Sequence, residues 1–200
     1  MILGHNTIKQ LLASKEWQVL YRGKPFDWES LTIGPNSVDV TLHPTVVELQ
    51  VSNGHTAVDL HRPETITINP LPFDASTGTI LLEPGRLYLG AVNEAFEADY
   101  VDIAGIRHPV TMQYEGRSTC GRLGIASHIT AGFADHGFRG ALTLELTVVL
   151  PVKLLPGMRI GQVYFTTLPS EAGAVRYDGA YSGSQHYDGP VPPTLGQGRF

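Results

Sequence analysis

The residues between positions 115 and 145 have the types and spacing that could carry out chemistry. Ser118 and Arg122 lie four apart in the segment STCGRLG, which predicts one or two helical turns that end at Gly124. Side chains four apart share a helix face, so this hydroxyl and this guanidinium would point the same way. If Ser118 is the N-cap, the free amides of the first turn and Arg117 would form a compact anion site. The alternative is a capped surface turn whose arginines are solvated.

Glu145 is the residue in this stretch that could transfer protons. It lies in the segment ALTLELTVVL, whose alternation predicts a strand with two different faces. One face would carry Leu142, Leu144, Leu146 and Val148, and the other would carry Thr143, Glu145, Thr147 and Val149. A carboxyl group on the second face is suited to moving protons if that face lines a pocket. Otherwise Glu145 is an ordinary solvated glutamate.

Asp135 lies in the sequence Asp-His-Gly between two apolar segments. Tight turns favour aspartate and glycine, so one interpretation is a structural turn, and the other is a hydrogen bond to a sugar hydroxyl. The eight histidines show no metal-binding spacing, and the chain lacks the sequence pattern of zinc nucleobase deaminases. It also lacks a glycine-rich phosphate loop and the nucleophile elbow of serine hydrolases.

Most of the elements that must position these residues are predicted to be strands. A helix is predicted near the N-terminus, capped by Asn6 or Thr7. Its apolar positions are Ile8, Leu11, Leu12 and Val19. After Ser30, short period-two runs separated by Gly and Pro indicate strands of a sandwich or barrel. The predicted strands are Val38–Leu42, Val46–Val51, Thr65–Ile68, Thr79–Leu82, Arg86–Ala91, Ile125–Thr130, Ala141–Leu150 and Arg159–Thr166.

The composition of the whole chain favours one globular domain. Its 200 residues include 42% hydrophobic and 16% charged residues, which suits a folded core. A net charge of −5 argues against a general nucleic-acid or membrane-surface binder, because such proteins need a basic surface. Cys120 is the only cysteine and the chain shows neither a signal peptide nor a membrane-spanning run, so we expect a cytoplasmic protein. Residues 170–200 are rich in Gly, Pro, Ser and Tyr, which predicts either a flexible terminus or a tail that orders over a ligand.

Six motifs occur in an order that resembles the dCTP deaminase family of the trimeric dUTPase-like superfamily. They are MILGHNTIKQLL, GPNSVDVTL, LLEPGRLYLG, EGRSTCGRLG, TAGFADHGFRGALTLEL and PGMRIGQ. The resemblance implies a mainly β fold, a distorted β-barrel or jelly-roll-like dUTPase fold, with a short N-terminal helix and one short helix near 118–124. It implies a single dUTPase-like β domain over residues 1–169, with residues 170–200 as an active-site lid. It also implies a homotrimer with active sites at the subunit interfaces.

The same resemblance assigns roles to individual residues. Glu145 matches the general base and proton shuttle, while Ser118 and Arg122 match residues that position the water and stabilise the reacting centre. Asp135 matches the aspartate that binds the deoxyribose 3′-hydroxyl. The remaining substrate contacts that the family pattern implies are Arg117, Thr119, Thr130, Ala131, Thr143, Leu144, Gln162 and Tyr177.

The implied reaction is hydrolytic deamination of dCTP to dUTP and ammonia without zinc, with Mg²⁺ bound through the nucleotide phosphates. The implied partners are a deoxycytidine nucleotide and dTTP as an inhibitor, with no nucleic acid and no membrane, in the cytoplasm or in a host cytoplasm if the protein is viral. The segment Thr130-Ala131-Gly132-Phe133 resembles the bifunctional branch, which also releases pyrophosphate to give dUMP.

The tail departs from the family pattern, which places a Lys-Tyr pair before a glutamine. Here the comparable residues, from position 185 to 190, read QHYDGP, and the lysine is missing. Deamination of dCMP or of a modified cytosine nucleotide is therefore one alternative. A nucleotide-sensing binding protein on the same fold is the non-enzyme alternative.

Overall fold

The period-two segments form antiparallel strands in a computed structural model that describes residues 1–169, 174–181, 183 and 188–193. The two helices are α1 (His5–Ala13) and α2 (Ser118–Arg122). The first seven strands are β1 (Gln18–Tyr21), β2 (Lys24–Pro25), β3 (Val38–Thr41), β4 (Val47–Val51), β5 (Ile66–Pro70), β6 (Ile80–Leu82) and β7 (Leu87–Glu97). The others are β8 (Tyr100–Ile103), β9 (Ile106–Gly116), β10 (Ile125–Ala126), β11 (Phe133–Ala134), β12 (Gly140–Val148), β13 (Val152–Leu154) and β14 (Arg159–Thr167).

The larger of the sheets is organised around β7. One edge of β7 pairs with β12, which in turn pairs with β10. The other edge pairs first with β4 and then, further along, with β1. β5 extends the sheet beyond β4, and β2 extends it beyond β1. A second sheet has the order β11-β9-β14-β3, with β8 also on β9, and β6 and β13 form a separate pair.

The core lies between the two large sheets and under α1. Leu144 and Leu146 of β12 belong to the same buried cluster as Val163 and Phe165 of β14, and all four are at most 1% exposed. Phe165 contacts two further aromatic rings, those of Trp17 at 4.7 Å and Phe96 at 5.5 Å. Helix α1 adds Ile8, Leu11 and Leu12 to the same cluster. Burial of these side chains is the main favourable term in folding.

The mainly β fold class is confirmed, and it has the short helices near both expected positions. The expected cap of the first helix is wrong, because Gly4 occupies the N-cap position with no side-chain hydrogen bond. Val19 is not helical but lies in β1. Ser118 is not the N-cap of α2; that position belongs to Arg117. Gly124 does follow the end of α2, with a positive φ of 74° that an L side chain rarely adopts.

The predicted strands correspond to real ones, but several bounds are wrong. The segment predicted to be a strand up to Thr130 is a strand only at Ile125–Ala126, and β7 runs six residues beyond the expected end at Ala91. Strands β1, β2, β8, β9, β11 and β13 were not predicted. In the described part of the chain, no helix is long and apolar enough to cross a membrane.

Phe165→Ala should lower the free energy of unfolding by about 3–5 kcal/mol, because it opens a cavity where three aromatic rings meet. Denaturant unfolding followed by circular dichroism would measure the loss. Phe73→Ala is the control, since that ring is 53% exposed. A loss for Phe165→Ala no larger than the loss for the control would contradict this account of the core.

Candidate active site

A cavity of about 510 Å³ lies on the face of the larger sheet that points away from the core. Its floor consists of outward-facing residues of β4, β7 and β12, namely Leu49, Leu87, Leu89, Thr143 and Glu145. The neighbouring wall is the segment that follows β10 and includes β11, with Ile129, Thr130, Ala131, Phe133 and Asp135. Residues from the tail complete the lining: Tyr177, Tyr181, Val191 and Pro193.

The alternation of β12 places Glu145 in this cavity. Glu145 pairs with Leu89, and its neighbours Leu144 and Leu146 are buried in the core on the opposite face. A register shift between Ala141 and Thr143 marks a bulge, after which Thr143 and Glu145 share the cavity face. The second of the two interpretations of Glu145, a solvated surface glutamate, does not describe this position.

Two backbone amides hold the carboxylate of Glu145. The N–H groups of Ile129 and Thr130 donate to Oε2 at 2.8 and 3.0 Å. Hydrogen bonds from amides to a carboxylate oxygen are charge-assisted and fix the orientation of the group. Because both amides bind Oε2, this oxygen is the anchor, and the lone pairs of Oε1 are not used by these amides. The carboxylate is therefore held in a fixed position at the cavity wall while one oxygen stays available for proton transfer.

Asp135 is both a turn residue and a cavity residue, so the two interpretations of it are compatible. The amide of Phe138 donates to the carbonyl oxygen of Asp135 at 3.1 Å, and Gly137 between them has a positive φ of 84°. This is the tight turn that the sequence predicted. The exposed side chain of Asp135 lines the cavity, and the ring of Phe138 lies beside it, 5.9 Å from the ring of Tyr177.

The residues of α2 do not line this cavity. Ser118, Thr119 and Arg122 are exposed at the surface, and Cys120 is the residue of α2 that is buried. The guanidinium of Arg117 forms an ion pair with the carboxylate of Asp39. A single chain therefore does not bring the expected catalytic residues of α2 to Glu145.

Two further expected contacts also lie away from the cavity lining. Gln162 is on the second sheet, where its Oε1 accepts a hydrogen bond from the hydroxyl of Ser37 at 2.8 Å. The side chain of Leu144 is 1% exposed and belongs to the core. Of the expected site residues, the ones that the chain gathers around the cavity are Glu145, Thr130, Ala131, Asp135, Thr143 and Tyr177.

Sequence reasoning missed the apolar floor of the cavity. Leu87 and Leu89 alternate with Tyr88 in the segment LYLG, which indicates a strand but does not say which face meets the core. The face is decided by pairing with β12 and β4, because Leu89 is the partner of Glu145 on one side and of Val47 on the other. This pairing joins residues far apart in the chain, so no local signal identifies Leu89 as a cavity residue.

The charged side chains that line the cavity are both acidic, Asp135 and Glu145. The rest of the described lining is apolar apart from two threonines and two tyrosines. Among the residues that the structure describes, no group of three or more His, Cys, Asp or Glu side chains is placed to hold a metal ion. The cavity thus suits an uncharged, flat group near Glu145 and Asp135 better than a phosphate chain.

Comparisons with known proteins identify the family of the chain. The sequence model of the dCTP deaminase-like family matches residues 2–168. A protein of Clostridium beijerinckii named "dCTP deaminase, dUMP-forming" is 35% identical over 173 residues, which cover 86% of each chain. Proteins with the same name from Corynebacterium jeikeium and Methanopyrus kandleri are 35% and 34% identical and cover 97% and 92% of this chain, and 95% and 92% of their own.

A solved structure also shares the fold. The 2′-deoxycytidine 5′-triphosphate deaminase of Agrobacterium tumefaciens superposes with a TM-score of 0.54 at 20% identity. The match covers 82% of this chain and 47% of that one, so the chain spans about half the length of that relative. This likeness concerns the fold alone. The family match over residues 2–168 and the relatives at about one-third identity show that the chain belongs to the dCTP deaminase-like family.

Proposed function

We propose that the protein catalyses the hydrolytic deamination of dCTP and that dUMP is the final product. The observation that carries the proposal is the carboxylate of Glu145, which two amides hold in an apolar cavity. Deamination needs one group that takes a proton from water and returns protons to the base and to the leaving amine. A fixed carboxylate with one oxygen available meets that requirement.

The steps follow from the position of Glu145. Its Oε1 takes a proton from water as the water oxygen attacks C4 of the cytosine ring. The carboxyl group then protonates N3. The carboxylate next takes the proton of the new hydroxyl on C4 and passes it to the exocyclic amine, which leaves as ammonia while the C4 carbonyl forms. The amides of Ile129 and Thr130 hold Oε2 throughout, so the carboxyl group does not have to reorient between proton transfers.

Recognition of the sugar is assigned to Asp135. Its carboxylate lines the cavity next to Phe138 and can accept a hydrogen bond from the 3′-hydroxyl. Thr130 and Ala131 would present backbone groups to the edge of the pyrimidine, and Leu144 and Gln162 stay proposed contacts on the strength of the resemblance. Thr143 and Tyr177 are better supported, because both residues line the cavity.

The phosphates need cations that the described cavity lining does not supply. The two acidic side chains in the lining would repel a triphosphate, so cationic residues from elsewhere must neutralise its negative charge. Arg122 is exposed on α2 together with Ser118 and Thr119, and Arg117 lies directly before them. We propose that these residues reach the nucleotide held by a neighbouring copy in a homotrimer, which would complete each site at a subunit interface.

Mg²⁺ belongs to this proposal as an ion bound by the phosphate oxygens. Mg²⁺ keeps most of its water shell and commonly binds through substrate phosphates, so the proposal needs no cage of protein ligands. Its chemistry there is to neutralise phosphate charge. Inhibition by dTTP and a cytoplasmic location are further parts of the proposal that rest on the resemblance.

The dUMP-forming route is favoured by the names of the relatives at 34–35% identity. In the bifunctional branch, release of pyrophosphate follows deamination. Asp135 would then orient a second water near the α-phosphate. The segment Thr130-Ala131-Gly132-Phe133 has the form that resembles this branch. A deaminase that stops at dUTP, a deaminase of dCMP or a modified cytosine nucleotide, and a binding protein without activity are the other outcomes that product analysis distinguishes.

The tail contacts the domain beside the cavity, which supports the proposal that residues 170–200 form a lid. The amide of Val191 donates to the hydroxyl of Thr143 at 3.0 Å, at the floor of the cavity. Nearby, the carboxylate of Asp188 lies 2.8 Å from Nε2 of buried His43 and 3.3 Å from Nε of Arg22. Gln185, His186 and Tyr187, where the tail differs from the family pattern, lie outside the described residues.

The second contact of His43 selects its tautomer. The amide of Thr45 donates to Nδ1 at 3.0 Å, so Nδ1 is an acceptor and the hydrogen lies on Nε2, which donates to Asp188. This hydrogen bond lowers the pKa of the Asp188 carboxyl group. Because the pKa of Asp188 is lower when the tail is attached, ionised Asp188 stabilises the attached tail at pH values above the ordinary carboxyl pKa. This stabilisation is lost as the pH falls through the lowered pKa.

Glu145→Gln should abolish release of ammonia from dCTP while nucleotide binding is retained, because the amide keeps the shape of the side chain but cannot take a proton. The wild-type protein and the variant would be incubated with dCTP, dCMP or dUTP and Mg²⁺, and the products separated by chromatography. Glu64→Gln is the control, since Glu64 is an exposed glutamate outside the cavity lining.

Each outcome of that experiment is informative. dUMP with pyrophosphate from dCTP supports the dUMP-forming reaction, and dUTP as the end product supports the simple deaminase. Binding of cytosine nucleotides without turnover by the wild-type protein would refute the enzyme proposal. Full activity of Glu145→Gln would refute the role of Glu145.

A mixture of Glu145→Gln and Arg122→Ala should regain activity that neither variant has alone. If each site combines Glu145 of one copy with Arg122 of another, random mixing leaves roughly a quarter of the sites with both residues intact. The two variants would be unfolded together, refolded as a mixture and assayed for ammonia, with each variant refolded alone as the control. A mixture as inactive as its components would show that the two residues do not meet across an interface.

Asp188→Asn should release the tail from the cavity, because it removes the charge that Arg22 and His43 hold. The protection factor of the Val191 amide, which compares its exchange with that of an unstructured amide at the same pH, would fall, and acidification of the wild-type protein through the lowered pKa of Asp188 should lower it too. Asp178→Asn is the matched control, an exposed aspartate in the same tail. Unchanged exchange at Val191 in Asp188→Asn would show that this contact does not hold the tail.

A further inference from the structure

Tyr114 of β9 contacts both ends of the loop that holds Glu145. Its hydroxyl donates to the hydroxyl oxygen of Ser127 at 2.8 Å, and its amide donates to the carbonyl oxygen of Gly132 at 2.7 Å. Its ring also lies edge-on to the ring of His128, with 5.7 Å between the centroids. The amides of Ile129 and Thr130 lie between these points.

The surroundings of Tyr114 leave its side chain little freedom. Tyr114 and Ser127 are each 3% exposed, so their hydrogen bond is shielded from water. Gly161 on the adjacent strand β14 leaves room for the ring, because a Cβ there would overlap the ring and its hydroxyl. Gly116 does the same for Ser127, since a Cβ at 116 would lie 2.8 Å from the hydroxyl oxygen of Ser127.

This geometry has a direct consequence for Glu145. A backbone loop by itself samples many conformations, and each ordered residue costs conformational entropy. Here Tyr114 fixes the first and last residues of the segment 127–132, so the two central amides keep their direction toward Oε2 of Glu145. Burial raises the pKa of the Tyr114 hydroxyl, which therefore stays protonated and able to donate.

We propose that Tyr114 is a positioning residue for the reaction: through its hydroxyl on Ser127 and its amide on Gly132 it sets the orientation of the Glu145 carboxylate. It does not touch the substrate. The inference rests on the proposed deamination for its kinetic consequence and on the geometry alone for its effect on the loop. Because Tyr114 is only two residues before Gly116 and α2 follows directly, the same residue also links the loop to the segment that carries Arg122.

Tyr114→Phe tests the proposal, because it removes the hydroxyl and keeps the ring and the amide. We expect kcat for ammonia release from dCTP to fall by about ten- to a hundredfold, since small displacements of a catalytic group have effects of this size. KM for dCTP should change little, because Tyr114 does not line the cavity. Hydrogen exchange at Ile129 and Thr130 should become faster, and the melting temperature should fall because the Ser127 hydroxyl is left buried without its partner.

A double variant separates positioning from general stability. Tyr114→Phe with Ser127→Ala removes both hydroxyls, so neither of them is left buried without its partner and the melting temperature should recover. If Tyr114 positions the loop, kcat stays low and exchange at Ile129 and Thr130 stays fast in this variant. If Tyr114 acts only through stability, kcat recovers together with the melting temperature, and the proposal is wrong.

Tyr164→Phe is the matched control, because Tyr164 lies on the adjacent strand β14 opposite Gln113 and away from the loop. Its kcat and its exchange at Ile129 and Thr130 should equal those of the wild-type protein. The exchange measurement also separates the two proposals. A wild-type protein that releases no ammonia from dCTP refutes the deaminase, whereas unchanged exchange in Tyr114→Phe refutes the positioning role whatever the activity.

Discussion

The pairing of β12 with β7 is the constraint on which the rest of the site depends. Side chains alternate between the faces of a strand, so the register that places Glu145 beside Leu89 also places Leu144 and Leu146 in the core. A slip of one residue would put the carboxylate among the buried leucines and two leucines in the cavity. The cost of burying a charge without a partner makes that register strongly unfavourable. The same hydrophobic pattern that stabilises the fold therefore decides where the carboxylate lies.

A strand fixes the position of a side chain but not its last torsion angles. For Glu145 of β12, the loop after β10 fixes those angles. Carboxylate torsions are broad, so Glu145 on its own would sample many directions. The amides of Ile129 and Thr130 select one of them, and they come from the segment that follows β10, the strand paired with β12. The loop is held in turn by β9 of the second sheet, through Tyr114. The orientation of one carboxylate thus depends on both sheets.

The sequence predicted the general architecture but only part of the site, and particular residues show why. Alternation identified β3, β4 and β12, because apolar and polar residues occur there with a regular period. It missed the second half of β7, where Asn93 and Glu94 are buried. Glu94 accepts hydrogen bonds from Thr41, the last residue of β3, and Asn93 donates to the carbonyl oxygen of Leu42, the residue after it. Their partners lie about fifty positions earlier in the chain, so the local pattern contains no sign that these polar residues are inside. The role of Leu89 and the pairing of Arg117 with Asp39 depend on such distant contacts too.

The distribution of charge explains why the expected site residues separate into two groups. Glu145 and Asp135 lie in an apolar cavity where electrostatic interactions are strong, which suits proton transfer at an uncharged base. Arginines in that cavity would form ion pairs with both carboxylates and take away the free oxygen that proton transfer needs. An enzyme for a charged nucleotide must nevertheless supply cations, and keeping them on α2, outside the cavity of the same chain, avoids that competition. In the proposed homotrimer the exposed Arg122 would act on the nucleotide of a second copy, so the separation of the two groups within one chain supports that proposal.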